Sequence, residues 1–220
     1  MTAPQLHQLT TPRAAALAGV LFAVLFGTVI VLIRVRMPEG VGDSAVWLSD
    51  NHNGIVTATV LMPFAGITFL WFIGVVRDGF GRYEDRFFAS VFLGSGLLFL
   101  GMMFVATAVA AALVSTNAGV VDPAAHAEVV DFGKMVVLAT SKTYALRMAA
   151  VFMISAATIW LRTGLMPKWI AVLTYFVAVA ILVASERSAW ILLAFPVWVL
   201  VVSGLILVRG NAVGRDGPET

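Results

Sequence analysis

The sequence predicts an all-α fold, a polytopic transmembrane bundle of six helical spans with both termini in the cytoplasm. Hydrophobic residues make up 60% of the chain and charged residues only 12%, whereas soluble domains carry about 25% charged residues. The apolar residues run in six continuous stretches, and a helix needs about 20 such residues to cross the roughly 30 Å hydrocarbon layer. Barrel strands would alternate polar and apolar positions, and helices satisfy their own backbone hydrogen bonds in lipid.

These stretches divide the chain into a short N-terminal segment (1–12), one transmembrane domain (13–208) and a tail (209–220). The predicted spans 1 to 6 cover about 13–33, 54–76, 87–114, 135–161, 168–185 and 188–208. Span 1 is followed by arginines and by no small-residue cleavage site, which favours a retained anchor over a signal peptide. The chain has no cysteine and a net charge of +2, so it offers no disulfide or thiolate site and no basic footprint for nucleic acid.

The distribution of Lys and Arg between the loops predicts the orientation. Eight lie on the side of the termini and four on the opposite side: Arg13, Arg77, Arg82, Arg86, Arg162, Lys168, Arg209 and Arg215 against Arg34, Arg36, Lys134 and Arg187. Because cytoplasmic loops carry the excess of positive charge, both termini are predicted to be cytoplasmic. Span 1 alone, with one charge before it and two after, favours the reverse. Trp160, just before Arg162, fits an aromatic belt at the inner membrane surface.

Small residues recur at four-residue spacing in two spans. Span 1 carries Ala15, Gly19, Ala23 and Gly27, and span 3 carries Ser90 and Gly94. Small side chains let two helices approach closely in lipid, where the hydrophobic effect does not drive association. The stripes therefore predict either packing inside the bundle or an interface with a second copy or a partner membrane protein.

Two prolines and one aspartate mark helix geometry. Pro63 and Pro196 fall within spans 2 and 6 and predict kinks, which serve either as hinges or as ordinary features of membrane helices. Asp122 followed by Pro123 is typical of an N-cap and a first helical residue. Span 4 is therefore predicted to begin early and to project beyond the membrane.

Span 4 also contains two cations, Lys142 and Arg147, each costing about 2.5–3.5 kcal/mol at a helix centre. If the lipid-covered part runs from 135, Arg147 lies near the midplane; if it runs from 141, Lys142 lies at the outer surface and Arg147 can reach upward. Five residues separate them by about 140° on an α-helix, whereas Thr143 shares the face of Arg147. Arg147 is predicted either to anchor the helix, by reaching the membrane surface or by pairing with Glu186, or to form a substrate or lipid contact. Candidate residues of that contact are Arg147, Lys142, Thr143, Tyr144 and Glu186, and Asp131 and Asp50 are the other possible acidic partners of Arg147.

The outer loops hold imidazole and carboxylate groups but no recognisable metal-ligand spacing. His52 and His126 are the only weak candidates for metal binding, and the stretch 49–54 fits a turn that caps span 2. No metalloprotease, serine-hydrolase or phosphate-loop motif is present in the sequence. The sequence therefore predicts no metal and no cofactor, and it favours a non-catalytic protein over an enzyme.

The turn Arg162-Thr163-Gly164-Leu165-Met166-Pro167-Lys168-Trp169, followed by two apolar spans, resembles one found in small six-helix integral membrane proteins of bacteria, many of them actinobacterial and of uncharacterised function. The resemblance covers the last third of the chain. It implies a six-helix bundle in the bacterial inner membrane, and it carries no functional residues.

Three functions remain open at this point. The first is a non-catalytic accessory or self-associating bundle, whose partners are lipids, a second copy or another membrane protein. The second is a small transporter or channel for an anionic or lipid-like substrate, using Arg147 and Lys142. The third is an intramembrane enzyme.

Overall fold

The computed structural model describes residues 11–34, 37, 44–78, 86–116, 122–184 and 189–213, which form helices and no strand. The α-helices are α1 (Thr11–Arg34), α2 (Ser44–Asp50), α3 (His52–Asp78), α4 (Arg86–Thr116), α5 (Pro123–Leu138), α6 (Leu146–Thr163), α7 (Lys168–Ala184) and α8 (Ala194–Val213). A π-helical segment, Ala139–Ala145, joins α5 to α6, and a 3₁₀-helix, Ala189–Leu193, precedes α8. The predicted all-α fold is confirmed.

Five helical stretches are long and apolar enough to cross a membrane. They are Ala16–Arg34, His52–Arg77, Phe87–Thr116, Pro123–Thr163 and Trp190–Val208. The sixth predicted span corresponds to Lys168–Ala184, an apolar helix of 17 residues. At about 1.5 Å per residue this helix is roughly 25 Å long, slightly short of the roughly 30 Å hydrocarbon layer.

The long helices pack as antiparallel neighbours. α1 packs against α3 and α8, α4 packs against α3 and α6, and α7 packs mainly against α6. The side-chain amide of Asn51 donates to the carbonyl of Leu32 at 2.7 Å, so the start of α3 lies beside the end of α1. The Arg162 guanidinium carbon lies 4.8 Å from the centre of the Phe88 ring, so the end of α6 lies beside the start of α4.

Aromatic rings fill the middle of the bundle. The ring of Phe69 lies 4.5 Å from Phe22, 5.5 Å from Phe99 and 5.5 Å from Phe152, between centroids. Phe195 lies 4.6 Å from Phe99, so α1, α3, α4, α6 and α8 all contribute. Such pairs are worth about 0.5–1.5 kcal/mol each beyond the area they bury. This aromatic core joins five helices at one point.

Span 4 begins early, as predicted. The Asp122 carboxylate accepts hydrogen bonds from the backbone N–H groups of Ala124 at 3.0 Å and Ala125 at 3.3 Å, and Pro123 is the first helical residue. The helix then continues for 41 residues to Thr163. At about 1.5 Å per residue it is roughly twice the thickness of the hydrocarbon layer, which is long enough for part of it to project beyond the lipid as predicted.

Two local predictions differ from the structure. The segment predicted as a loop before span 2 contains the helix α2, and the backbone N–H of Asn51 continues it by donating to the carbonyl of Trp47 at 2.9 Å. Pro196 lies in the first turn of α8, which begins at Ala194, rather than in the middle of a span. The first-turn N–H groups have no partner within a helix, so a proline there breaks no hydrogen bond. Pro63 does lie inside α3, with its side chain exposed.

The tryptophans differ from the predicted belt as well. Trp160 is 3% exposed and stacks on Trp198 at 5.9 Å between ring centroids, so it belongs to the interior. Trp71 and Trp169, 64% and 61% exposed, face outward near the ends of α3 and α7. Those two side chains have the exposure that an interfacial aromatic belt needs.

Candidate functional site

The polar residues predicted in span 4 lie on the π-helical segment. Lys142, Thr143 and Tyr144 are all within Ala139–Ala145. The hydroxyl of Thr140 donates to the carbonyl of Val136 at 2.7 Å, one of several side chains in this stretch that bond the preceding turn. Hydroxyl groups that bond carbonyls four residues earlier loosen and bend helices. Single π-helical turns within α-helices occur frequently at functional sites.

The π geometry changes the predicted faces of this segment. The 140° separation of Lys142 and Arg147 assumes a regular α-helix, and a π-helix places residue i above residue i+5. Lys142, Thr143 and Arg147 are half-buried, whereas Tyr144 is 57% exposed and faces outward. Glu186 lies outside the described residues, so its pairing with Arg147 stays a prediction.

A shared cavity gives the level of Lys142 along the bundle. Ser141 lines this cavity together with Ile33 and Arg34, the last two residues of α1. Lys142 therefore lies level with the end of α1, and Arg147 lies more than one turn deeper. This position favours the interpretation in which the lipid-covered part of span 4 begins near 141.

Two further cations are buried at the same end of the bundle. Arg34 is 5% exposed and Lys134 is 4% exposed, although the sequence analysis treated both as charges of the outer loops. The Nη1 atom of Arg34 lies 3.3 Å from the sulfur of Met37 and donates to it. The spacing of Val130, Lys134 and Val137 could have indicated the burial of Lys134, because residues three and four apart share one face of a helix.

The cavity beside Arg34 is small. It is lined by Val29, Ile30, Ile33, Arg34, Met103, Ala106, Thr107, Val137 and Ser141, and about 10 Å³ of it is available to the centre of a water molecule. One bound water needs about 10–15 Å³. The hydroxyl groups of Thr107 and Ser141 donate to the carbonyls of Met103 at 2.9 Å and Val137 at 2.5 Å. The cavity is therefore at the lower size limit for one water molecule, and the two hydroxyl groups beside it already bond carbonyls of their own helices.

The small-residue stripes face two different surroundings. A side-chain carbon at Gly19 would collide with the Ser203 hydroxyl and lie 2.8 Å from the Phe72 ring, so Gly19 packs inside the bundle. At Gly27 and Gly94 such a carbon would meet nothing within 4 Å. Ala23 is buried and Ser90 exposed, and the side chain of Ala15 lies outside the described part of the structure.

Three glycines outside the predicted small-residue stripes also lie at close contacts between helices. A side-chain carbon at Gly66 would lie 2.5 Å from Phe104, at Gly96 2.8 Å from Ile73, and at Gly133 2.6 Å from Leu113. Each contact joins two helices at a single crossing. A single glycine has no periodic signature, so only the structure identifies these positions.

Neither of the two candidate histidines, His52 and His126, belongs to a metal-binding group in the described part of the chain. His52 is exposed at the start of α3, and His126 is half-buried near the start of α5. Within the described ranges, no three His, Asp or Glu side chains come together as a metal site requires.

A comparison of the chain with protein-family models, curated proteins and solved structures gives no match. The site is therefore interpreted from its own chemistry. It comprises a π-helical turn carrying Lys142, the two buried cations Arg34 and Lys134, and a small cavity between α1, α4 and α5.

Proposed function

We propose that this chain is a multi-pass protein of the bacterial inner membrane, a non-catalytic helical bundle that associates with itself or with a partner membrane protein. It crosses the membrane six times and keeps both termini in the cytoplasm. The observation that carries the proposal is the aromatic core, in which Phe22, Phe69, Phe99, Phe152 and Phe195 occupy the space between five helices. Packed aromatic rings fill this interior, so contacts with a second copy or a partner protein would form on the outer surface of the bundle.

The outward face of α4 supplies the contact surface. Gly94 and Gly101 lie seven residues apart and thus on one face of the helix, and a side-chain carbon at either would meet nothing within 4 Å. Ser90 and Ala108 on the same face are exposed. Small residues at this spacing admit a second helix at close range. On this face, the open glycine positions form notches that alternate with exposed leucines, and a helix of another subunit can pack into such a surface.

The experiment is a mild-detergent purification from the native membrane, followed by mass spectrometry of the intact complex. Gly94→Leu and Gly101→Leu fill the notches and are expected to release the second subunit. Gly74→Leu is the matched control, because Gly74 on α3 is equally open and lies on another helix. A wild-type chain that is monomeric and alone would refute the proposal, as would equal assembly of all three variants.

A second candidate function, transport of an anionic or lipid-like substrate, is favoured by one observation. The π-helical segment holds half-buried Lys142 above half-buried Arg147, and such segments are common at functional sites. If the substrate is transported past Lys142 and Arg147, Arg147→Ala is expected to abolish substrate flux in reconstituted vesicles while the variant protein still inserts into the membrane. The matched control is Arg162→Ala, because Arg162 lies at the opposite end of the bundle, beside Phe88.

A further inference from the structure

A narrow strip of α6 is open to the outside of the bundle. From Leu146 to Trp160 most side chains are buried, and the half-buried ones are Arg147, Met148, Val151, Ile154 and Thr158. All of these except Met148 follow one another at spacings of three or four residues, which places them on one side of the helix. Phe152, on another side, belongs to the aromatic core. The strip therefore turns away from the centre of the bundle.

The strip is the floor of a groove between α4 and α7, the two main neighbours of α6. On the α7 side, the hydroxyl groups of Thr158 and Tyr175 share a hydrogen bond at 2.5 Å, which joins the floor to that wall. On the α4 side, Phe92 stacks on Phe152 at 4.2 Å between ring centroids. Because both flanks of α6 are covered, its half-buried strip is recessed between the two helices.

Two cations lie at one end of this groove. Arg147 is the first residue of the strip, and Lys142 lies five residues earlier, within the π-helical segment that brings residues five apart to one side. Both side chains are half-buried, and both also interact with other residues of the protein. A guanidinium carries five N–H donors and an ammonium group three, so each can bind a neighbour and an anionic group together.

The groove has the length of one lipid leaflet. Lys142 and Ile154 are about 18 Å apart along the helix at about 1.5 Å per residue, roughly half of the 30 Å hydrocarbon layer. Lys142 lies level with the end of α1, and the side chain of Arg147 can reach toward the same level while its stem stays in an apolar surrounding. The cations are thus at the membrane surface, and the apolar floor formed by Val151 and Ile154 runs toward the middle of the bilayer.

We propose that this groove binds one anionic glycerophospholipid of the leaflet on the side where α1 ends. Its phosphate contacts the guanidinium of Arg147 and the ammonium group of Lys142, and one acyl chain lies along Val151 and Ile154. Guanidinium groups bind phosphate oxygens through paired, charge-assisted hydrogen bonds. The ammonium group of a zwitterionic lipid would be repelled by the same two cations, so the site prefers a lipid with net negative charge. Neither the proposed association through α4 nor transport requires this lipid.

The experiment measures which lipid stays with the full-length protein. The protein is reconstituted in vesicles of equal parts phosphatidylglycerol and phosphatidylethanolamine, released in a neutral detergent and weighed intact by mass spectrometry. We expect one phosphatidylglycerol per chain to remain, in preference to phosphatidylethanolamine. Glycerol phosphate, which has the charged group but no acyl chain, is expected not to displace it. Equal retention of the two lipids, displacement by glycerol phosphate, or a dimer that retains no lipid would overturn the proposal.

Paired variants locate the two parts of the lipid. Arg147→Met is expected to weaken retention of phosphatidylglycerol at least about tenfold, because it removes a charged donor. Lys168→Met is its control, because Lys168 is an exposed cation at the opposite end of the bundle. Ile154→Trp fills the floor and leaves both cations in place, so it should also expel the lipid. Its control is Ile67→Trp, because Ile67 is 46% exposed on α3, outside the groove.

The two pairs test the proposal separately. If Arg147→Met fails to fold, Lys142→Met tests the phosphate contact and Ile154→Trp still tests the acyl chain. Equal retention of phosphatidylglycerol by a cation variant and Lys168→Met would remove the phosphate contact. Equal retention by Ile154→Trp and Ile67→Trp would remove the groove as the site of the chain.

Discussion

At the scale of single residues, Gly19 has the least room for a side chain among the glycines that the structure describes. A side-chain carbon there would collide with the Ser203 hydroxyl and press on Phe72, and Ser203 is fully buried. We expect Gly19→Ala to lower the free energy of unfolding by about 1–3 kcal/mol, the usual cost of overpacking. Thermal unfolding in detergent measures this change. Because Gly19 packs inside the bundle, the loss should be the same when the protein is monomeric.

The control for Gly19 lies two turns along the same helix. Gly27→Ala adds the same methyl group where nothing stands within 4 Å, so it should leave stability unchanged or raise it through helix propensity. The double variant Gly19→Ala with Ser203→Ala removes the colliding hydroxyl and should recover part of the loss. Strictly additive effects of the two substitutions would show that the crossing of α1 and α8 is looser than described.

At the scale of elements, a hydrogen bond joins α7 to a helix other than α6. It packs almost entirely on α6, and the indole of Trp198 on α8 donates to the Thr174 hydroxyl at 3.0 Å. Thr174→Val leaves that indole without its acceptor. We expect a loss of about 0.6–1.7 kcal/mol, the range measured for hydrogen bonds between membrane helices. Unfolding followed by tryptophan fluorescence measures the loss.

Thr28→Val is the matched control for α7, because the Thr28 hydroxyl is exposed and bonds only the carbonyl of Val24 in its own helix, at 2.8 Å. It should change the unfolding free energy much less. In a double-mutant cycle, Thr174→Val should cost little once Trp198→Phe has removed the donor. An equal cost in both backgrounds would assign the effect to packing of the valine methyl group.

Element boundaries show what the sequence could predict and what it could not. Continuous apolar runs predicted the long helices, and Asp122-Pro123 predicted the start of α5, because both depend on local chemistry. In the π-helical turn at Ala139–Ala145, the backbone hydrogen bonds join residues five apart instead of four. This change leaves no mark in the amino-acid composition of the segment, so the sequence did not predict it. The burial of Arg34 depends on which helices lie beside the end of α1, and apolar runs carry no information about neighbours.

At the scale of the whole molecule, the proposed topology of six spans with cytoplasmic termini predicts which loops lie on each side of the membrane. The chain contains no cysteine, so single cysteines can be introduced without background. Asp50 at the end of α2, Lys168 at the start of α7 and Trp190 before α8 are all exposed. We expect a membrane-impermeant maleimide to label Asp50→Cys and Trp190→Cys in intact cells, and Lys168→Cys only after permeabilisation.

The reason for this pattern is the distribution of charge together with the antiparallel packing. Lys168 lies near Arg162 on the side where Lys and Arg are in excess, and the positive-inside rule predicts that this side faces the cytoplasm. Asp50 lies beside the end of α1, since the adjacent Asn51 bonds Leu32. Labelling of Lys168→Cys alone in intact cells would invert the bundle while keeping six spans. If Trp190→Cys and Lys168→Cys are labelled under the same condition, the two positions lie on the same side of the membrane. In that case α7, which is 17 residues long, does not cross, and five spans remain.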